Sequence, residues 1–204
     1  VVCINIIMEK KSGPDHYHNF WGTLYTIAKD VKIQVEFNPA KVKAYRLIGY
    51  ENRILNKEDF NDDKKDAGDI GSGHTVTALY EIIPAGSEEE VSNVDPLTYQ
   101  QTNILTSGNL MTVKLRYKKP DEKLSTKIVR TVKDKELRRG NMSDNFRFAA
   151  SVAEFGMLLR DSEHKSNASY EQALSLAQSA KGADEDGYRQ EFIKLLKTSQ
   201  LLAR

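Results

Sequence analysis

The apolar positions of this chain change their spacing once, near residue 140, and that change constrains the fold more than any motif does. In residues 32–37, Ile33, Val35 and Phe37 alternate with Lys32, Gln34 and Glu36, which predicts a strand with one buried and one solvated face. Asn38-Pro39 stops it, because proline has no N–H to give a ladder, and a second β-rich run covers 42–50. The β-branched and aromatic run 75–83 closes at Pro84, and 110–117 alternates with Met111, Val113, Leu115 and Tyr117 inward. Lys119-Pro120-Asp121 sets proline where a type I turn takes it, joining that strand to a run at 127–133 as a hairpin.

From Ser143 onward Phe148, Val152, Phe155 and Leu159 recur at helical spacing behind a Ser-Asp pair able to cap the first free N–H groups, so a helix is expected over 144–162. Ser169-Tyr170-Glu171-Gln172 has capping-box spacing, and its helix carries Ala173, Leu174 and Ala177 and ends near Gly182. A third helix opens among Asp184, Glu185 and Asp186, acids suited to the positive end of the helix dipole. Tyr188, Phe192, Leu195, Leu196 and Leu202 are its expected buried side. Strands first and helices last indicate an α+β chain: an antiparallel β-sandwich-like unit followed by a C-terminal three-helix segment. The expected division is 1–22 as a terminal remnant, 23–140 as the β unit and 141–204 as the helical segment.

Charge and composition remove several functions. Thirty Lys+Arg stand against 29 Asp+Glu, so the chain lacks the basic excess of a dedicated nucleic-acid binder. One cysteine, Cys3, excludes an intramolecular disulfide and a multi-thiolate zinc site, and it has no nucleophile context. Apolar stretches such as 1–8 fall well short of the roughly 18–20 residues a bilayer span needs, so no membrane insertion is expected.

The candidate chemical constellations are weak. Asp62, Asp63, Asp66 and Asp69 crowd the connection 56–73, but Lys64 falls where a calcium loop's third ligand belongs and Gly73 where its glutamate belongs. A solvated acidic loop without high calcium affinity is expected. Gly68, Gly71 and Gly73 resemble a phosphate cradle only superficially, since they lead into a strand, and turn glycines are the better account. His16 and His18, beside Asp15, make at most a partial metal site, and His74 and His164 are isolated. Between residues 114 and 139 eleven Lys/Arg face four Asp/Glu, an asymmetry expected on a solvated strand face. No catalytic, cofactor-binding or metal residue is assigned, no cofactor is expected, and the chain is expected not to be an enzyme.

Several runs nevertheless resemble a known family in one order. They are residues 23–39, from Thr23-Leu24-Tyr25 through Glu36-Phe37-Asn38-Pro39; Tyr45-Arg46-Leu47-Ile48-Gly49-Tyr50-Glu51-Asn52-Arg53; Glu58-Asp59-Phe60-Asn61-Asp62-Asp63; Gly73-His74-Thr75-Val76-Thr77-Ala78-Leu79-Tyr80-Glu81; and Phe146-Arg147-Phe148-Ala149-Ala150 with Phe155-Gly156-Met157-Leu158-Leu159-Arg160-Asp161-Ser162. Together they resemble the region that follows the von Willebrand factor type A domain in bacterial YfbK-type proteins. The resemblance implies a cell-envelope protein and a region with no assigned activity. Residues 1–21 depart from the pattern, and the Asp-x-Ser-x-Ser adhesion motif of type A domains is not in the chain, so metal-mediated adhesion falls on no residue here. With neither a signal peptide nor an initiator Met, the chain reads as a fragment.

The expected function is therefore a non-catalytic accessory or interaction module associated with a type A domain protein of the bacterial envelope, with a protein partner. The alternative is a glycan- or peptide-binding sandwich module using the loops 56–73 and 85–108. Five strands leave sheet edges open, so either residues 1–8 are captured or a homodimer forms through an open edge.

Overall fold

In a computed structural model the described residues are 2–7, 25–49, 54–56, 58–89, 107–134 and 142–203. They fall into two compact units, Val1–Leu137 and Arg138–Arg204. The first unit contains β1 (Val2–Ile7), β2 (Thr26–Phe37), β3 (Val42–Ile48), β4 (Gly68–Gly71), β5 (Thr75–Pro84), β6 (Asn109–Lys118) and β7 (Thr126–Lys133). A three-stranded sheet runs β1-β5-β3 and a four-stranded sheet runs β4-β2-β6-β7, with every pairing antiparallel. The second unit contains α1 (Asp144–Leu159), α2 (Tyr170–Ser179) and α3 (Tyr188–Leu202). The segregated α+β architecture expected from the periodicity is the one found.

Register explains the β core. Ile33, Val35 and Phe37 of β2 lie opposite Leu115, Val113 and Met111 of β6, so the apolar halves of two alternating strands share one face. Phe37, Val42, Leu110 and Met111 are buried there, with Ile4, Val35, Tyr80, Ile82, Val113 and Val132 packed against them. Both sheets supply these residues, which makes them the two layers of a sandwich. Phe37 joins the layers most directly, its ring 4.6 Å from that of Tyr45 and 5.6 Å from that of Tyr80. The β6–β7 hairpin turns through Pro120-Asp121, where the Glu122 N–H donates to the Lys119 carbonyl at 3.0 Å.

Two features depart from the sequence expectation, and a third follows one of its alternatives. β2 begins at Thr26, six residues before its clean alternation, because a register shift between Lys29 and Lys32 breaks the pattern where Asp30 adopts φ 50. Gly68 and Gly71, expected in turns, lie in β4 and pair with β2, and only Gly73 keeps a positive φ, +77. Residues Val2–Ile7 form β1 on the free edge of β5, from Val2 opposite Tyr80 to Ile7 opposite Thr75. Capture of the terminal segment is thus one of the two outcomes the open edges implied.

In the helical unit the Ser143 hydroxyl accepts the Phe146 N–H at 3.2 Å and Ser169 accepts that of Gln172 at 3.1 Å, so both predicted serine caps form. Phe155, Ala173, Ala177, Ile193 and Leu196 make the core, with Phe148, Tyr170, Leu174 and Phe192 around it. Val152 and Leu159 on α1, and Tyr188, Leu195 and Leu202 on α3, are instead 44–81% exposed. Each helix carries apolar residues on more than one stripe, and the ten-residue α2 is too short to cover more than one of them.

Candidate functional site

The densest polar arrangement among the described residues lies on the outer face of the four-stranded sheet. Alternation sends Lys32 of β2 and Arg116 of β6 outward, and the register sets them opposite one another. Lys118, two residues beyond Arg116, follows on the same side. The acidic connection that leaves β3 comes down on these cations. Its 3-10 turn, Glu58–Phe60, anchors by the buried Phe60 ring. The Lys32 ammonium, with the residue only 3% exposed, donates to the Asp59 carbonyl at 3.2 Å and the Asp62 carbonyl at 2.5 Å.

Two carboxylates complete the attachment. Asp63 Oδ1 accepts the Ser125 hydroxyl at 2.5 Å and the Arg116 guanidinium at 3.4 Å. Arg116 also donates to Ser125 Oγ at 2.9 Å and to Asn61 Oδ1 at 2.9 Å. Lys118 Nζ donates to Asp30 Oδ2 at 2.5 Å and to the Asp63 carbonyl at 2.7 Å. The other oxygen of Asp30 accepts the Ala67 N–H at 3.2 Å, and the Asp30 N–H donates to Asp69 Oδ1 at 3.2 Å. Asp30, at the bulge in β2, therefore ties the sheet directly to the start of β4 and, through Lys118, to Asp63.

The electrostatics agree with this geometry. The Lys118 hydrogen bond holds the Asp30 carboxyl below its usual range, against a smaller opposing effect of burial. The Ser125 hydroxyl does the same for Asp63, helped by the charges of Arg116 and Lys118. Lys118 is raised in turn, first by its hydrogen bond to Asp30. These shifts move acids down and base up, so at neutral pH the groups stay ionised and paired. A general acid or base needs a pKa moved toward neutrality instead. Ser125 is bonded to a carboxylate and a guanidinium, not to an imidazole that would draw off its proton. The arrangement fastens a loop to a sheet.

The sequence candidates separate accordingly. Of the four loop aspartates, Asp63 is taken by Ser125 and Arg116, Asp69 by the Asp30 N–H, and Asp62 by the Lys64 N–H at 2.9 Å. Asp66 adds its negative charge beside Lys118. Among the described residues no group of three or more His, Cys, Asp or Glu is placed to hold a metal ion. Gly68 and Gly71 end in a strand, and Gly73 leads into β5. His74 lies exposed before β5 and His164 exposed between α1 and α2, in different units. Cys3 lies in β1, while Asp15, His16 and His18 fall outside the described residues, as does most of the loop 85–108. In the basic run, Lys114 pairs with Glu36 at 3.2 Å and Lys119 with Glu122 at 2.8 Å, and residues 135–139 are outside the described set.

Sequence reasoning missed Asp30, Lys32, Asn61 and Ser125. Lys32 was expected in solvent on the polar face of β2, and that face is correct, but the acidic segment covers it. The available signal was the pairing of outward cations at 32, 116 and 118 with an unusually acidic connection.

The helical unit has its own buried polar pair. Ser151, fully buried on α1, donates to the Ala173 carbonyl of α2 at 2.6 Å. Glu154, 8% exposed, accepts the N–H of Ser169, the α2 cap residue, at 3.0 Å. Burial pushes the Glu154 carboxyl up, against the smaller opposing effect of that hydrogen bond.

Comparison with known proteins places the chain. Residues 22–202 match the family described as "Uncharacterized protein YfbK, C-terminal". The chain is similar to the "Uncharacterized protein YfbK" of Escherichia coli (strain K12), 43% identical over an alignment of 181 residues that covers 85% of this chain and 30% of that relative's length. No solved structure matches.

Proposed function

This chain belongs to the family of the YfbK C-terminal region, and from that premise we propose that it is a non-catalytic interaction module, one that supports or positions a von Willebrand factor type A domain at the bacterial cell envelope. The observation that carries the first part is the state of the polar cluster. Asp30, Asp63, Arg116 and Lys118 bond to one another and to the segment above them, and the pKa displacements of Asp30, Asp63 and Lys118 keep those three charged. A loop fastened in this way presents a fixed outer surface for a partner and offers no group poised for proton transfer. The type A association and the envelope location rest on the ordered resemblance of the runs between residues 23 and 162.

The chain spans only 30% of the relative it matches, so the test uses the intact E. coli relative. Chemical cross-linking with peptide mapping reads contacts between its matched region and its remainder. Reproducible cross-links are expected. Two parts that never cross-link, although each cross-links internally, would overturn the positioning role. A glycan array probes the other reading, a glycan-binding sandwich module, which would prevail if saturable binding were lost on altering the loop 56–73.

A further inference from the structure

The four-stranded sheet ends on β7, an eight-residue strand paired on one side, to β6, among the described residues. Seven of its eight residues are exposed, among them Ile128 at 49% and Val129 at 52%. Edge strands in folded proteins are normally shortened, bulged, covered or guarded by charge, lysine above all. At the opposite end of the same sheet this is the case, since β4 has four residues, two of them glycine, and register shifts throughout its pairing. Among the described residues β7 is neither shortened, bulged nor covered from Thr126 to Val132, where it runs in continuous register with β6.

What β7 does have is charge of a single sign. Lys127, Arg130 and Lys133 are its only ionisable residues. On β3, the edge of the other sheet, Lys43 donates to the Glu89 carbonyl at 2.8 Å and Arg46 pairs with Glu81. Lys127 and Lys133 have no such partner among the described residues. A second copy of this strand is the poorer complement, because it brings only cations to a strand whose ionisable residues are all cations, and the self-pairing register centred on Arg130 sets Lys127 directly opposite Lys133, where like charges destabilise a ladder. A strand bearing carboxylates matches both the open N–H and C=O row and the charge. Nucleic acid matches only the charge, since β7 carries no aromatic side chain on which a base could stack.

We propose that β7 is a strand-addition site that takes an extended acidic segment of a partner protein as a fifth strand of this sheet, with its carboxylates set against Lys127 and Lys133. Main-chain hydrogen bonds supply the attachment, the exposed Ile128 and Val129 side chains give it apolar cover, and the lysines select the sign of the partner. This rests on the interaction role proposed above and names the surface and the partner chemistry.

The probe is a fluorescent octapeptide of alternating Glu and Val, titrated into the 204-residue chain by anisotropy. Beside it run the Lys/Val analogue, a Glu/Val peptide N-methylated at alternate residues, and an oligothymidylate. The Glu/Val peptide binds, slows amide exchange within Thr126–Lys133, and weakens about ten-fold for the double variant K127E/K133E, which now accepts the Lys/Val peptide. Both substitutions are on exposed side chains, and unchanged circular dichroism checks the fold. Four results overturn the proposal: no binding of the Glu/Val peptide, equal binding of the N-methylated peptide or the oligothymidylate, binding without protection of β7, or concentration-dependent dimers that protect β7 without peptide. The cross-linking experiment is independent, so its success with failure here moves the partner to another surface, while failure of both removes the interaction role.

Discussion

Replacing Lys32 by methionine isolates the ammonium that fastens the acidic segment. Methionine keeps an unbranched apolar stem along the sheet and deletes the two hydrogen bonds to the Asp59 and Asp62 carbonyls. Hydrogen bonds from a charged donor contribute roughly 1.5–3 kcal/mol each, so the gross loss is about 3–6 kcal/mol. Two effects offset part of it: the ammonium no longer has to be desolvated, and Asp62 is exposed enough for its carbonyl to regain water. The net expectation is about 2 kcal/mol, or a fall of roughly 8 °C in the melting midpoint of a unit of this size. Lys114→Met is the control, since it removes one partly exposed ion pair with Glu36 on the same face and should change stability by less than about 0.5 kcal/mol. Thermal melts by circular dichroism, with amide exchange over residues 58–67, measure both. A Lys32→Met protein that melts within about 1 °C of the parent and exchanges these amides no faster would refute the fastening argument.

The other expectations concern titration and the helical unit. Asp30 and Asp63 have folded pKa values below their ordinary ones, so their contribution is complete above the usual aspartate range and is lost as pH falls through the lower folded values. Amide protection over 58–67, taken relative to the intrinsic exchange rate at each pH, should hold from neutral pH to about 4 and fall below it, and Asp30→Asn should reduce that step to the part due to Asp63. Glu154 has the opposite sign: its folded pKa is raised, so its favourable contribution holds at low pH and is lost as pH rises through the folded value. Glu154→Gln, which can still accept the Ser169 N–H, should raise the helical unit's midpoint at pH 7 and leave it unchanged at pH 3, as read by denaturation at the two pH values. Ser151→Ala leaves the buried Ala173 carbonyl without its side-chain donor and should cost about 1 kcal/mol in urea unfolding, with no change in helix content.

Periodicity made the architecture legible because it reports which face of an element is buried. The inward faces of Ile33, Val35 and Phe37 and of Met111, Val113 and Leu115 follow from alternation alone, though not the pairing of the two strands, and the two serine caps follow from residue type and spacing. What alternation does not carry is what lies over a polar face. Lys32 reads as solvated because the neighbour that buries it belongs to a connection about 30 residues away in sequence, whose acidity reads equally well as solvation. Gly68 and Gly71 mislead for a related reason: glycine's local preference is for turns, and only the partner strand β2 makes this short run a strand. In the helices, a 3.6-residue period identifies apolar residues on several stripes but not how many a short neighbour can cover. Val152 and Leu195 are exposed on that account.

The most direct test of the interaction role is site-specific photocross-linking from β7 in living cells. A benzophenone amino acid at Val129, half exposed on the open edge, is introduced into the intact protein, with a matched probe at exposed Leu124 in the preceding turn. The expected product is a discrete adduct from position 129 to a protein segment rich in Asp or Glu, lost with K127E/K133E and weak or absent from position 124. Adducts of equal yield from both positions, or from position 129 only to a second copy of the same chain, would contradict it.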